Sequence, residues 1–256
     1  MSFNPRHQQL VKIAREKGYV TVDELVERLD VTPQTVRRDI NTLCDMGVLS
    51  RFHGGAAFRS SVANMPYETR RDTMAGEKAR IAAAAVAAIP DHSSIFIDIG
   101  TTAEAFADQL MEKSGLTIVT NNINVINMLR TKEDFELVIC GGTVRGRDLA
   151  VAGQATTEFL SRFQVDYAML GVVSIARDGS ILDFSVDEGP LTQAIIACGR
   201  NVFVLADRSK FGRQAMARVG HISQVTALFA DALPDRDWRE HFETLGPTIH
   251  LVGNET

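Results

Sequence analysis

One short segment of this chain concentrates cations and amides: Thr32-Pro33-Gln34-Thr35-Val36-Arg37-Arg38-Asp39-Ile40-Asn41. Arginine offers a planar fork that fits guanine O6 and N7, and Gln or Asn a donor–acceptor pair that fits adenine. Arg51, His53 and Arg59 follow closely and can grip phosphate or reach a minor groove. A second chemistry recurs further on, in segments rich in glycine, hydroxyls and a few charges. These are Asp98-Ile99-Gly100-Thr101-Thr102, Thr120-Asn121-Asn122, Gly141-Gly142-Thr143-Val144-Arg145-Gly146-Arg147 and Ala206-Asp207-Arg208-Ser209-Lys210-Phe211-Gly212. Glycine lets backbone N–H groups approach an anion, and hydroxyls, amides and cations add donors. Taken singly, each segment is equally well a tight turn or a helix cap. Their recurrence points to one shared anion pocket.

The elements needed to hold the first segment are legible. Leu10, Val11, Ile13 and Ala14 have helical spacing over 5–17, and Gly18 ends that helix. Thr21 with Glu24 three residues on reads as a capping box for a second helix bearing Leu25, Val26 and Leu29. Asp30-Val31 turns the chain. Thr32 then caps a third helix with Pro33 at its first position, running over 33–46 and stopping at Gly47. Val36, Ile40 and Leu43 form its inward face, leaving Gln34, Thr35, Arg37, Arg38 and Asn41 outward. Two helices across a short turn, the second carrying such groups, make a helix-turn-helix with its recognition element. Residues 48–58, with Gly54-Gly55 at the centre, read as a two-stranded wing. The same module can also serve protein interaction. The arginine pair, Pro33 and the wing favour double-stranded DNA.

The anion-binding segments sit in a different pattern. Short β-rich runs at 94–98, 116–120, 136–140, 167–171, 201–206, 224–229 and 248–252 alternate with helical stretches at 103–113, 122–129, 156–163 and 189–197. Alternation of this kind predicts an α/β fold with a doubly wound, largely parallel sheet. Ligands of such sheets bind beyond the carboxyl ends of the strands, where the four segments fall. The domains expected are therefore a winged helix-turn-helix over 1–58, a linker over 59–76 containing Ser60-Ser61 and Pro66, and a sensing and oligomerisation domain over 77–256.

Charge divides accordingly. The net charge is −5, yet residues 1–60 hold nine Lys/Arg against seven Asp/Glu, which leaves −7 for the rest. A basic face at the front suits DNA, and an acidic remainder discourages it elsewhere. No apolar run approaches the ~18–20 residues that span a bilayer. The start carries no apolar stretch of a secretory signal. Cys44, Cys140 and Cys198 are too far apart for a zinc site or a disulfide framework. A cytoplasmic protein with no membrane partner, metal or cofactor is expected.

Gly18-Tyr19-Val20-Thr21-Val22-Asp23-Glu24-Leu25, the Thr32–Asn41 segment and His53-Gly54-Gly55-Ala56 resemble the DNA-binding region of the DeoR family of bacterial regulators. The resemblance extends over nearly the full length. It implies a sensor domain similar in fold to ribose-5-phosphate isomerases and glucosamine-6-phosphate deaminases that binds sugar phosphates. Phe96-Ile97-Asp98-Ile99-Gly100-Thr101-Thr102, Thr120-Asn121-Asn122-Ile123-Asn124-Val125 and Ser209-Lys210-Phe211-Gly212-Arg213 look like the branch that answers to glycerol 3-phosphate. One position departs. The family pattern has Glu followed four residues later by Lys; here Glu188 matches but Thr192 stands where Lys is expected. That leaves Arg145, Arg147 or Lys210 to supply the positive group, and Glu188 without its neighbour.

The expected function is thus a repressor, a homodimer or homotetramer on a palindromic operator, released by a small phosphorylated effector. DNA contact is expected at Thr32, Gln34, Thr35, Arg37, Arg38, Asn41, Arg51 and His53. Effector contact is expected at Asp98, Gly100, Thr101, Thr102, Asn121, Asn122, Gly141, Gly142, Arg145, Glu188, Asp207 and Lys210. The alternatives are a repressor answering another sugar phosphate, or a sugar-phosphate isomerase or deaminase fused to a DNA-binding module. The enzyme would need a carboxylate or His base at the reacting carbon. Asp98, Glu188 and Asp207 are available, but no His lies near these segments.

Overall fold

A computed structural model describes residues 4–17, 19–52, 54–58 and 67–253. The chain forms two compact units, 1–73 and 74–256.

In the first unit, helices α1 (Pro5–Lys17), α2 (Val22–Leu29) and α3 (Pro33–Asp45) enclose a small core of Leu10, Ala14, Leu25, Val36, Ile40 and Leu43. Both predicted cap residues accept a helix N–H: Thr21 Oγ1 from Glu24 at 3.1 Å, and Thr32 Oγ1 from Thr35 at 3.3 Å. Of the capping box expected at Thr21 this is one half; the Glu24 carboxylate lies 3.2 Å from Arg28 Nε. The wing has one strand more than expected. β1 (Tyr19–Thr21) pairs antiparallel with β3 (Gly55–Phe58), which pairs with β2 (Leu49–Phe52), so the hairpin is anchored to the front of α2. A three-residue strand ahead of a helix cap leaves no periodicity to read. A short helix, α4 (Tyr67–Asp72), closes the unit.

The buried carboxylate of Asp39 was not foreseen either. It lies on the inner face of α3, 4% exposed, and accepts from Arg6 Nε at 2.5 Å, Arg6 Nη2 at 3.0 Å and His7 Nε2 at 3.1 Å. Burial alone would raise its pKa, but the bonds from Arg6 and then His7 prevail and hold it below the usual carboxylate range. Asp39→Asn is therefore expected to destabilise this unit by about 1–3 kcal/mol, as hydrogen exchange of α3 amides in the intact chain would measure.

The second unit is built on a seven-stranded sheet. In chain order its elements are α5 (Ala75–Ala87), β4 (Ser94–Ile97), α6 (Thr101–Gln109), β5 (Thr117–Thr120), α7 (Ile123–Leu129), β6 (Glu136–Ile139), β7 (Thr143–Arg145), β8 (Ala150–Ala152), α8 (Gln154–Leu160), β9 (Val165–Gly171), β10 (Ser174–Ile175), β11 (Ser180–Asp183), α9 (Gly189–Cys198), β12 (Gly199–Ala206), β13 (Ala217–His221), β14 (Ala227–Ala230), α10 (Arg236–Leu245) and β15 (Thr248–Leu251). The sheet runs β15-β14-β12-β9-β4-β5-β6, and every neighbouring pair is parallel. All seven predicted runs are in it. The run placed at 224–229 begins at Ala227, because Ile222–Gln224 is a 3-10 turn capped by His221.

Both faces of the sheet are buried, as an all-parallel sheet requires. Phe96, Val202, Val204 and Ala206 point to one face, against Leu160 of α8, Leu191 and Ile195 of α9, and Trp238 and Phe242 of α10. Ile95, Ile97, Phe203 and Leu205 point to the other, against Ile81 of α5, Phe106 of α6 and Leu129 of α7. Each such side chain contributes about 1.5–3 kcal/mol on burial. Cys140 and Cys198 lie in the first of these layers, and burial pushes both thiols up to about 12. A small antiparallel sheet, β10-β11-β13, and a hairpin, β7-β8, complete the unit. Among the described residues no helix is long and apolar enough to cross a membrane.

Candidate functional site

The outer face of α3 carries Gln34, Arg37, Arg38 and Asn41, all exposed, with Thr35 half-buried beside them. Val36, Ile40 and Leu43 face inward at 2% exposure or less, so the helix has one wet face that bears all of these polar groups. Thr32 is exposed but occupied, since its Oγ1 lies 2.9 Å from Thr35 Oγ1 as well as capping the helix. Arg51 on β2 donates through Nη1 to Asn41 Oδ1, which joins wing and recognition helix into one surface. His53 and Arg59 lie outside the described residues.

In the second unit, parallelism places every strand's carboxyl end on one edge of the sheet. The segments after β4, β5 and β6 are therefore contiguous there; the segment after β12 is one strand further off, across β9. The chain reverses its direction of travel through the sheet between β4 and β9, the place where such sheets open a crevice. Asp98 sits there, 7% exposed, with Oδ2 accepting Gly171 N–H at 3.2 Å. Burial raises its pKa, the N–H of Ile99 opposes this, and the charges of Glu188 and Asp183 add to the rise; the carboxyl is pushed up to about 7.

Gly100 caps α6 at φ 112°, a backbone that favours glycine, and a Cβ there would meet nothing within 4 Å. Open space thus lies beside Gly100, at the start of a helix. Thr101 and Thr102 lie buried in its first turn. Asn121 and Asn122, after β5, are fully buried. Asn122 Oδ1 caps α7 by accepting Asn124 N–H at 2.9 Å, and Asn121 Nδ2 donates to Val151 O at 3.3 Å. Their remaining atoms, Asn121 Oδ1 and Asn122 Nδ2, have no partner among the described residues. Buried amide groups left unpaired are costly, and a polar ligand would satisfy them.

Gly141 and Gly142 divide the roles the sequence left open. A Cβ at Gly141 meets nothing within 4 Å, whereas one at Gly142 would fall 2.2 Å from Thr156 Oγ1 and 2.8 Å from Ala152 O. Gly142 thus serves packing of the hairpin on α8. The carboxylate of Asp207 is taken up in capping its own turn, accepting Ser209 N–H at 2.9 Å. Lys210 ends that turn, and Phe211 pins it through an edge-on contact with Trp238 at 5.8 Å.

Thr192 leaves Glu188 without the lysine of the family pattern, and Arg145, one of the three cations expected to compensate, reaches it: Arg145 Nη1 donates to Glu188 Oε1 at 2.5 Å. The same guanidinium donates to Asp148 through Nε at 2.8 Å and Nη2 at 3.1 Å. Burial disfavours its charge, but Asp148 and then Glu188 raise its pKa well above the ordinary arginine value. Arg145 thus gives Glu188 a cation that Thr192 cannot, reaching it from a hairpin forty-three residues upstream. Sequence reasoning missed Asp148, Asp183, Glu104 and Asn124. Asn124 Nδ2 donates to Glu104 Oε1 at 2.9 Å, tying the starts of α6 and α7 together. Asp148, three residues after Arg145, was the one with a readable signal.

A family model described as the DeoR C terminal sensor domain matches residues 73–232, and one described as the DeoR-like helix-turn-helix domain matches residues 6–62. The chain belongs to the DeoR family. Its DeoR-family relatives include the glycerol-3-phosphate regulon repressor of Escherichia coli (strain K12), 46% identical over 91% of this chain and 93% of the relative. The HTH-type transcriptional repressor CsqR of the same organism is 41% identical over 90% of this chain and 88% of the relative. Among solved structures, ribose 5-phosphate isomerase A from Methanocaldococcus jannaschii is similar at 17% identity and a TM-score of 0.39, covering 54% of this chain and 55% of that one. As a DeoR-family transcriptional repressor the chain pairs a DNA-binding unit with a unit for a small effector, and is not an enzyme.

Proposed function

We propose that the chain represses genes of glycerol and glycerol 3-phosphate metabolism and leaves its operator when glycerol 3-phosphate binds. The observation that carries this reading is the 46% identity, over almost the whole chain, to a repressor named for that regulon. The geometry is compatible with such a ligand. The phosphate would meet the N–H groups and hydroxyls of Gly100, Thr101 and Thr102, where a helix start favours an anion. The polyol end would meet Asp98, Asn121 and Asn122, with Gly141, Arg145, Glu188 and the Asp207–Lys210 turn around it.

In this reading residues 1–58 grip operator DNA, 59–76 link, and 77–256 sense and oligomerise. Gln34, Thr35, Arg37, Arg38 and Asn41 meet base edges; Thr32, Arg51 and His53 support the docking. A homodimer or homotetramer would present paired recognition helices to a palindromic site. Glycerol 3-phosphate then acts by binding better to the conformer that fits the operator worse, and by linkage the operator weakens the effector by the same factor.

A thermal-shift series with phosphorylated sugars tests this. Glycerol 3-phosphate is expected to stabilise the protein by about 2.7 kcal/mol at one hundred times its dissociation constant. The same compound should lower operator affinity in an anisotropy titration. A flat response to it alongside a clear response to another sugar phosphate would favour the second reading, a repressor of the same type with a different effector. The comparable identity to CsqR supports that alternative.

A further inference from the structure

The β7-β8 hairpin is fastened on both sides of Asp98. On one side its second strand is joined to the end of β5. Val151 N–H donates to Asn121 O at 2.7 Å, Ile123 N–H donates to Leu149 O at 3.1 Å, and Ala150 bridges Asn122. On the other side its first strand ends in Arg145, whose guanidinium holds Glu188 just ahead of α9, the helix packed on β9. Arg145 and Ala150 are direct partners across the hairpin, so the two fastenings are back to back. β4, which Asp98 follows directly, lies between β5 and β9. The hairpin therefore crosses the mouth of the crevice. Beneath its β5 fastening lie the unpaired amide atoms Asn121 Oδ1 and Asn122 Nδ2.

The two fastenings differ in kind. The β5 side is main-chain bonding to fully buried residues. The α9 side is, among the described residues, a side-chain ion pair between partly exposed groups, with Arg145 at 25% and Glu188 at 19%. Asp148, the guanidinium's other partner, belongs to the hairpin itself and would travel with it.

We propose that the hairpin is a strap over the effector crevice, and that the Arg145–Glu188 ion pair is its latch, which must open before ligand enters or leaves. The proposal rests on the effector reading above for what passes under the strap, but the latch can be tested without any ligand.

The first measurement is hydrogen exchange of the full-length protein alone. Glu188→Gln is expected to speed exchange of the amides at 144–152 by about tenfold, the factor lost with one charge-assisted bond of ordinary strength. Unchanged exchange there overturns the latch. The second is stopped-flow binding of glycerol 3-phosphate. Both association and dissociation should accelerate in Glu188→Gln. Faster dissociation at an unchanged association rate would mean that Glu188 merely touches ligand, and would also overturn the gate. Arg145→Lys, which keeps the charge but cannot span both carboxylates, reads the same quantities should the first variant fold poorly. If the wild type ignores glycerol 3-phosphate, the effector reading fails while the exchange result still decides the latch.

Discussion

Replacing Arg37 and Arg38 together by alanine is expected to weaken operator binding by about 2–6 kcal/mol, at about 1–3 kcal/mol for each side chain that reads a base. Both guanidiniums stand on the exposed face of α3, opposite a core in which Val36, Ile40 and Leu43 are essentially closed to water. Removing them disturbs no packing, so the melting temperature should hold while affinity falls. Anisotropy on a duplex selected from random DNA, repeated over a salt series, separates two modes of action. A base-reading arginine relaxes specificity at one position; a phosphate-gripping one lowers affinity on all sequences and flattens the salt dependence by about one unit. Full operator affinity in the double variant would mean that another face meets DNA. Arg51→Ala should act in the same direction and more weakly, because that side chain braces Asn41.

The second large effect concerns pH. Asp98→Asn is expected to stabilise the protein at pH 8 and to remove a slope that the wild type carries. The folded protein holds the Asp98 proton up to about 7, whereas an unfolded aspartate loses it near 3.9. Between those values the folded state binds more protons than the unfolded one. Its stability is therefore full below about pH 4, declines as pH rises, and reaches its floor above pH 7. Asparagine keeps an acceptor for Gly171 N–H without the buried charge. The gain at pH 8 should be about 2–4 kcal/mol, shrinking toward zero at pH 4, by urea denaturation across that range. Parallel curves for the two proteins would refute the assignment. Asp39 contributes the opposite way: its lowered pKa stabilises above about pH 4, and that contribution is lost in stronger acid.

How far the residues themselves announced this molecule depends on the range of the interaction. Local signals were legible. Thr21 and Thr32 cap as their spacing says, Pro33 opens α3, and the seven β-rich runs become seven parallel strands. Parallel order then brings the glycine-rich segments to one edge, because strand polarity leaves them no other place. Elements that depend on partners far away were not legible. β1 exists only because Gly55–Phe58 returns to pair with it. The Arg145–Glu188 contact joins residues forty-three apart. The burial of Asp39 depends on Arg6 and His7, more than thirty residues upstream, and helical spacing alone carries no sign of them. α10 was legible and overlooked, since Asp235 caps it and Gly246 ends it in the left-handed region.

The thiols sealed beside the sheet carry a consequence for handling the protein. At pH 7.4 a group pushed up to about 12 is ionised to roughly one part in 10⁴–10⁵, and both are walled off besides. Cys44, only partly covered, lies near the end of α3. A maleimide dye should therefore label that cysteine first, placing a single fluorophore beside the helix that reads DNA and reporting its departure without any engineered mutation.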